Sequence, residues 1–252
     1  MSKNIKDERL GEENINTFGS KMIIVNYYNY NNIDIYFPEF DWIYYHSSYK
    51  EFLNGHVKCP YEPRYHNIGF LGEGRHNIME SENIKSKSFI VWYSMLNRCY
   101  SGKFSAYKDC SVCKEWLNYQ NFADWFYENY YNVGDEVMCL DKDIIEKNNK
   151  VYGPNTCVFV PQKINTLFIK SNKIRGDYPI GVIYKDGKYL SRCKNGNNKK
   201  VYLGIFNTVN EAFNVYKDFK ERLIKQIADE YKELIPDNLY RAMYNYKVEI
   251  ND

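Results

Sequence analysis

Asp141, Lys142 and Asp143 close an apolar run, "VMCLDKDI", and a loop rich in Asn leads from them to "YGPNTCVFVPQKIN". On a strand, side chains two residues apart share a face, so Asp141 and Asp143 are expected to point the same way. Two adjacent carboxylates suit a divalent ion that keeps several waters, with Glu146 close by in sequence. A surface acidic pair is the commoner meaning of such a pattern, and both readings stand at this point. Histidine, the usual base near neutral pH, is missing from this stretch: His46, His56, His66 and His76 all precede residue 80.

A second constellation is basic. From Gln162 to Asn207 ten Lys or Arg face only Asp177 and Asp186, so this segment carries +8 and the rest of the chain −6 of the net +2. Charge concentrated in this way points to a polyanion partner or to a solvated basic loop region. Alternation along "KYLSRCK" puts Lys188, Leu190, Arg192 and Lys194 on one face, with Tyr189, Ser191 and Cys193 on the other. Lys200 and Tyr202 share a face in "KKVYLGIF", with Val201 and Leu203 opposite. If a helix covers the apolar face, the basic face is left exposed.

Seven cysteines and no apolar stretch of signal-peptide kind favour free thiols over a disulfide framework. Cys110 and Cys113 form a single C-x-x-C pair, with Cys139 and Cys157 further on. One such pair is weak evidence of zinc, and structural zinc is not expected. No run approaches the ~20 apolar residues of a membrane span, so the reading is a soluble, cytoplasmic protein with no membrane partner. Aromatic residues make up 17% of the chain and 26 of them are tyrosines, a side chain that serves both a core and a wet interface.

The elements that must carry these residues fall into three regions of an α+β protein. Residues 17–66 hold short apolar and aromatic runs, "MIIVNYYNY", "IDIYF" and "DWIYYH", and read as a small antiparallel β-domain. Residues 85–170 begin helically: Phe89, Trp92, Leu96 and Cys99 share a face, with Ser86 or Ser88 as N-cap, and Trp116, Tyr119, Phe122 and Trp125 or Phe126 repeat the pattern. The Asp141 hairpin follows. Residues 178–252 open, after the linker "KSNKIRGD", with three strands "IGVIY", "KYLSRCK" and "KKVYLGIF", the first turn being Asp186-Gly187. A long helix then starts at Thr208 with Glu211 in capping-box spacing, and Ala212, Tyr216, Phe219, Leu223 and Ile227 line its apolar stripe. Pro236-Asp237 ends it before a short final helix.

The segment "IGVIYKDGKYLSRCKNGNNKKVYLGIFNTVNEAFNVY" resembles the APETALA/ethylene-response DNA-binding domain, which reads the major groove of double-stranded DNA with its sheet. The resemblance implies contacts from Lys185, Lys188, Arg192, Lys194, Lys200 and Tyr202. Positions where that family carries Arg on the first strand are Ile180 and Ile183 here, so base readout is expected to be thinner. About five phosphate contacts imply a slope of log affinity against log salt of roughly −4 to −5.

The order "W--MLNRCY", "VCKEWLNYQNFADWF", "LDKDI", "NK-Y-P-TC-FVP" and "IN-L" resembles phage HNH-type nucleases of the homing kind, many of which carry an APETALA-type domain behind the catalytic one. "FGSKMIIVNYYNYNNIDIYF" is similar to their small N-terminal β-module. That resemblance implies a degenerate HNH-like domain: Asp141 as metal ligand, Asn155 or Asn165 in the Asn roles, and Lys142 at the general-base position. A protonated Lys beside a divalent cation is a poor base and repels the metal. The leading expectation is a phage or mobile-element DNA-binding protein with an inactive nuclease-like domain. An active endonuclease using Asp141 and Asp143 with Mg²⁺ or Mn²⁺ is the second. The third is a protein that binds and blocks a host defence protein through its Tyr-rich surface.

Overall fold

A computed structural model describes residues 8–169, 177–197 and 199–252 of the chain. The protein is α+β, and it divides after Glu128 into two compact units. That division falls inside the region 85–170 read from sequence as one domain. The linker residues 170–176, with Lys170, Lys173 and Arg175, lie outside the described residues. Among the described residues no helix is long and apolar enough to cross a membrane.

The first unit opens with a four-stranded antiparallel sheet of β1 (Glu13–Ile15), β2 (Lys21–Asn29), β3 (Asn32–Phe37) and β4 (Trp42–Ser47), in sequence order. Met22, Ile24, Ile33, Ile35 and Phe37 alternate onto one face and pack with Phe52 of α1 (Tyr49–Leu53), which makes the core of this β-module. A small ladder of β5 (Met79–Ser81) and β6 (Ile84–Lys85) precedes α2 (Lys87–Tyr100), whose N-terminus is capped by the Ser86 hydroxyl accepting from the Phe89 N–H. Phe89, Trp92 and Leu96 are buried, while Cys99 at the end of that face is only half-buried. Strand β7 (Ser111–Val112) and one 3₁₀ turn lead to α3 (Tyr119–Asn129). The Trp92 indole N–H donates to the Trp116 carbonyl at 2.7 Å, so this large ring is buried with its polar atom satisfied.

In the second unit β8 (Met138–Asp141) pairs antiparallel with β10 (Val158–Pro161), and α4 (Gln162–Leu167) follows directly; β9 (Val151–Tyr152) lies in the loop between the strands. The rest is a sheet of β11 (Val182–Lys185), β12 (Lys188–Lys194) and β13 (Lys200–Phe206), followed by the long α5 (Val209–Tyr231) and the short α6 (Asp237–Tyr244). Val158, Val160, Ile164 and Leu167 of the hairpin and α4 share one core with Ile224, Ile227 and Ala228 of α5 and Leu239 and Met243 of α6. This explains where the chain divides. The hairpin buries its apolar face on the C-terminal helices, whereas α2 and α3 belong to the first unit.

Helix α5 begins with the full capping box: the Thr208 hydroxyl accepts from the Glu211 N–H, and the Glu211 carboxylate accepts from the Thr208 N–H. Its first half packs under the sheet, with Ala212, Phe213 and Tyr216 against Val182 and Cys193. At Gly181, φ is +81° and a Cβ would collide with the Tyr216 ring, so only glycine lets the chain turn into β11 there.

Candidate nucleic-acid interface and the acidic hairpin

The loop between β11 and β12 is the two-residue turn Asp186-Gly187, both at positive φ, which brings Lys185 directly opposite Lys188. From there β12 and β13 pair as Leu190 with Ile205, Ser191 with Gly204, Arg192 with Tyr202 and Lys194 with Lys200. The register shifts between Ser191 and Arg192, because Leu203 is an extra residue on β13. This bulge turns Ile205 outward and Phe206 inward beneath the sheet, and Gly204 sits at it with φ +140°.

The outer face therefore carries Lys185, Lys188, Arg192, Lys194 and Lys200, all exposed, together with Tyr202 at 59% and Ile205 at 57% exposure. The structure brings all six residues of the sequence reading onto one face. Lys188 donates to the Asn207 side chain. No carboxylate among the described residues pairs with Lys185, Arg192, Lys194 or Lys200. Two like-charged cross-strand pairs, Lys185 with Lys188 and Lys194 with Lys200, cost stability where they stand.

The hairpin spends its charges differently. Strand β8 ends at Asp141, and the Asp141 Oδ1 accepts from the Asp143 and Ile144 N–H groups, each at 2.9 Å. The side chain thus caps a turn, and Asp143 lies in that turn instead of two residues along a strand, which corrects the expectation that the pair shares a strand face. Lys142 is buried at 6% exposure, with its ammonium 3.1 Å from the Asp143 Oδ2 and 5.7 Å from the centre of the Tyr152 ring. Burial, and then the neighbouring Asp143, push the Asp141 carboxyl up to about 6, against the pull of the two backbone N–H groups. Asn155 is exposed in the loop, and Asn165 is half-buried on α4. The residue that fixes the loop is Asn149, not noticed in the sequence: its amide donates to the Lys142 and Val151 carbonyls at 2.8 and 2.7 Å.

These residues do not fit a divalent metal. One oxygen of Asp141 is committed to the backbone, and an ammonium occupies the space beside Asp143. Among the described residues no group of three or more His, Cys, Asp or Glu is arranged to hold an ion. Cys110, Cys113, Cys139 and Cys157 form no disulfide.

All four histidines lie in the first unit. His76 is the most firmly held. Its Nε2 is 2.8 Å from the Asp124 Oδ1, its ring stacks on Tyr127 at 5.0 Å, and the Gln120 amide bonds both its N–H and its C=O. Arg75 shares the same Asp124 oxygen, and these two partners, His76 first, hold the Asp124 carboxyl below its usual range.

No family model matches this chain, and comparisons with curated proteins and with solved structures return none.

Proposed function

We propose that this chain is a duplex-DNA-binding protein that uses the outer face of its C-terminal sheet, and that its Asp141 hairpin is a structural element without hydrolytic chemistry. The observation that carries the reading is the pair of like-charged cross-strand contacts on an exposed face, where no carboxylate among the described residues pairs with Lys185, Lys194 or Lys200. Exposed cations gathered on one face suit the negative charge of a phosphate backbone, and counterion release supplies the affinity. Arg192 and Tyr202, side by side in the middle of the face, are the groups suited to touch base edges. The outline of strand, long loop, strand and helix around Asp141 agrees with the HNH-type resemblance, and Lys142 marks where its chemistry has been lost.

The test is to incubate the purified protein with long duplex DNA in Mg²⁺, in Mn²⁺ and in EDTA, then to separate bound, free and cut DNA. Retardation in all three without cleavage is the expected result. Metal-dependent cutting would restore the hairpin as an active site, and absence of retardation at low salt would remove the DNA reading.

A second reading, capture of a host protein, draws on the first unit. Tyr28 and Tyr45 stand exposed on its sheet, with Tyr30 in the turn that joins β2 to β3. Tyrosines exposed in this way are favoured at protein interfaces.

A further inference from the structure

At the Asp186-Gly187 end of the basic sheet, the face opposite the lysines carries three tyrosines in mutual contact. Tyr184 lies directly across from Tyr189, with ring centres 5.2 Å apart. Tyr178 stacks on Tyr184 at 5.9 Å and 27°, and meets Tyr189 edge-on at 5.6 Å and 70°. Tyr178 and Tyr189 pack against the core beneath the sheet, which roots the cluster. Tyr184 is 49% exposed, so one ring is held in place by its neighbours while much of it remains open to solvent.

A cross-strand aromatic pair stabilises a hairpin by roughly 0.2–1 kcal/mol, which accounts for Tyr184 facing Tyr189. It does not account for the open ring. Lys185 is the next residue, and its pairing with Lys188 places two cations within about one residue's rise, ~3.3 Å, along the strand. The aromatic platform and the cationic face therefore meet at the tip of the same hairpin. A nucleic-acid strand held by phosphate contacts on the outer face reaches Tyr184 by passing round that tip. Only an unpaired nucleotide can then present the flat face of its base to the ring, because in a duplex those faces are stacked on one another.

We propose that Tyr184, backed by Tyr178 and Tyr189, stacks an unpaired base next to duplex bound on the cationic face, so that the preferred ligand is duplex DNA with a single-stranded end. This inference rests on the duplex-binding reading above. Stacking on an aromatic ring is tolerant of base identity, so the preference is for structure and not for sequence.

The experiment measures the affinity of the full chain for a blunt duplex and for the same duplex with a short single-stranded overhang. It is repeated with Tyr184→Ala and Tyr184→Phe. The wild-type protein and Tyr184→Phe are expected to bind the overhang duplex about tenfold more tightly than the blunt one, within the range known for stacking of one base. Tyr184→Ala should lose that advantage while its blunt-duplex affinity stays unchanged, which also reports that the sheet has folded. Equal wild-type affinity for the two DNAs would overturn the inference and leave duplex binding standing, as would an advantage that survives in Tyr184→Ala. Failure of the wild-type protein to bind either DNA would overturn the duplex reading itself.

Discussion

Lys142 directly follows one strand of the second unit and Lys194 ends another, and their surroundings differ in kind. Lys142 is buried, its ammonium beside the Asp143 carboxylate and near the Tyr152 ring. Lys194 is exposed, its cross-strand neighbour is another lysine, and no carboxylate among the described residues pairs with it. The same contrast holds for the whole regions. In the hairpin Asp141, Lys142, Asp143 and Asn149 answer one another and fix a loop. On the sheet the cations are turned to solvent, and among the described residues no carboxylate pairs with Lys185, Arg192, Lys194 or Lys200. Charge that is neutralised within the fold serves shape, whereas like charges left exposed side by side cost stability where they stand.

The sheet's side of this contrast meets its severest test at Gly181. The Gly181→Ala variant places a Cβ against the Tyr216 ring in a backbone conformation that disfavours it. A loss of about 3 kcal/mol is expected in denaturant unfolding, and DNA binding should weaken with the fold. An unfolding midpoint equal to wild type would show that the sheet is not seated on α5 as described.

Next in size is the combined change of Arg192, Lys194 and Lys200 to Ala. Removing three cations should reduce duplex affinity about a hundredfold at low salt and make the salt dependence shallower by about 3 in slope. The fold should survive by circular dichroism, and thermal stability should equal or slightly exceed wild type, because these side chains face solvent and the Lys194–Lys200 repulsion is relieved. Stability is the sharper half of the test: a marked fall would mean that the cations serve the fold after all, like Lys142.

On the hairpin's side, the Asp141 carboxyl titrates near 6, above its usual value, so the fold favours its protonated form. Its contribution to stability is full below about pH 4 and is lost as the pH rises through 6, about 3 kcal/mol at most. The Asp141→Asn variant keeps the acceptor for the two N–H groups and should flatten that part of the stability–pH curve. Unchanged pH dependence in the variant would place the titration elsewhere. The smallest effect is expected at Thr208→Ala, which removes the capping hydroxyl of α5 at a cost of about 1 kcal/mol.

Much of the sheet was legible because its signals are local. Asp186-Gly187 fixes a two-residue turn, alternation then assigns the faces of β12, and Thr208 with Glu211 marks the start of α5. The bulge at Leu203 was not legible, since "VYLGIF" alternates acceptably in either register and only packing of Phe206 beneath the sheet decides. The hairpin was read less well, for a related reason. Strand periodicity carried Asp143 onto the face of Asp141, but the Asp141 side chain captures two backbone N–H groups and ends the strand at once. The seating of Val158, Val160 and Ile164 on α5 depends on residues some sixty positions away in sequence, where no local pattern reaches. The tyrosine cluster was missed because Tyr178 lies outside the strands and joins Tyr184 and Tyr189 only in three dimensions.

The most direct measurement is the affinity for duplex DNA as a function of salt concentration, for the wild-type protein and the Arg192, Lys194 and Lys200 triple alanine variant side by side. A wild-type slope of about −4 to −5 in log affinity against log salt, falling to about −2 in the variant, is what an unanswered cationic face predicts. Slopes that coincide for the two proteins would contradict it, and the charge on this sheet would then need another explanation.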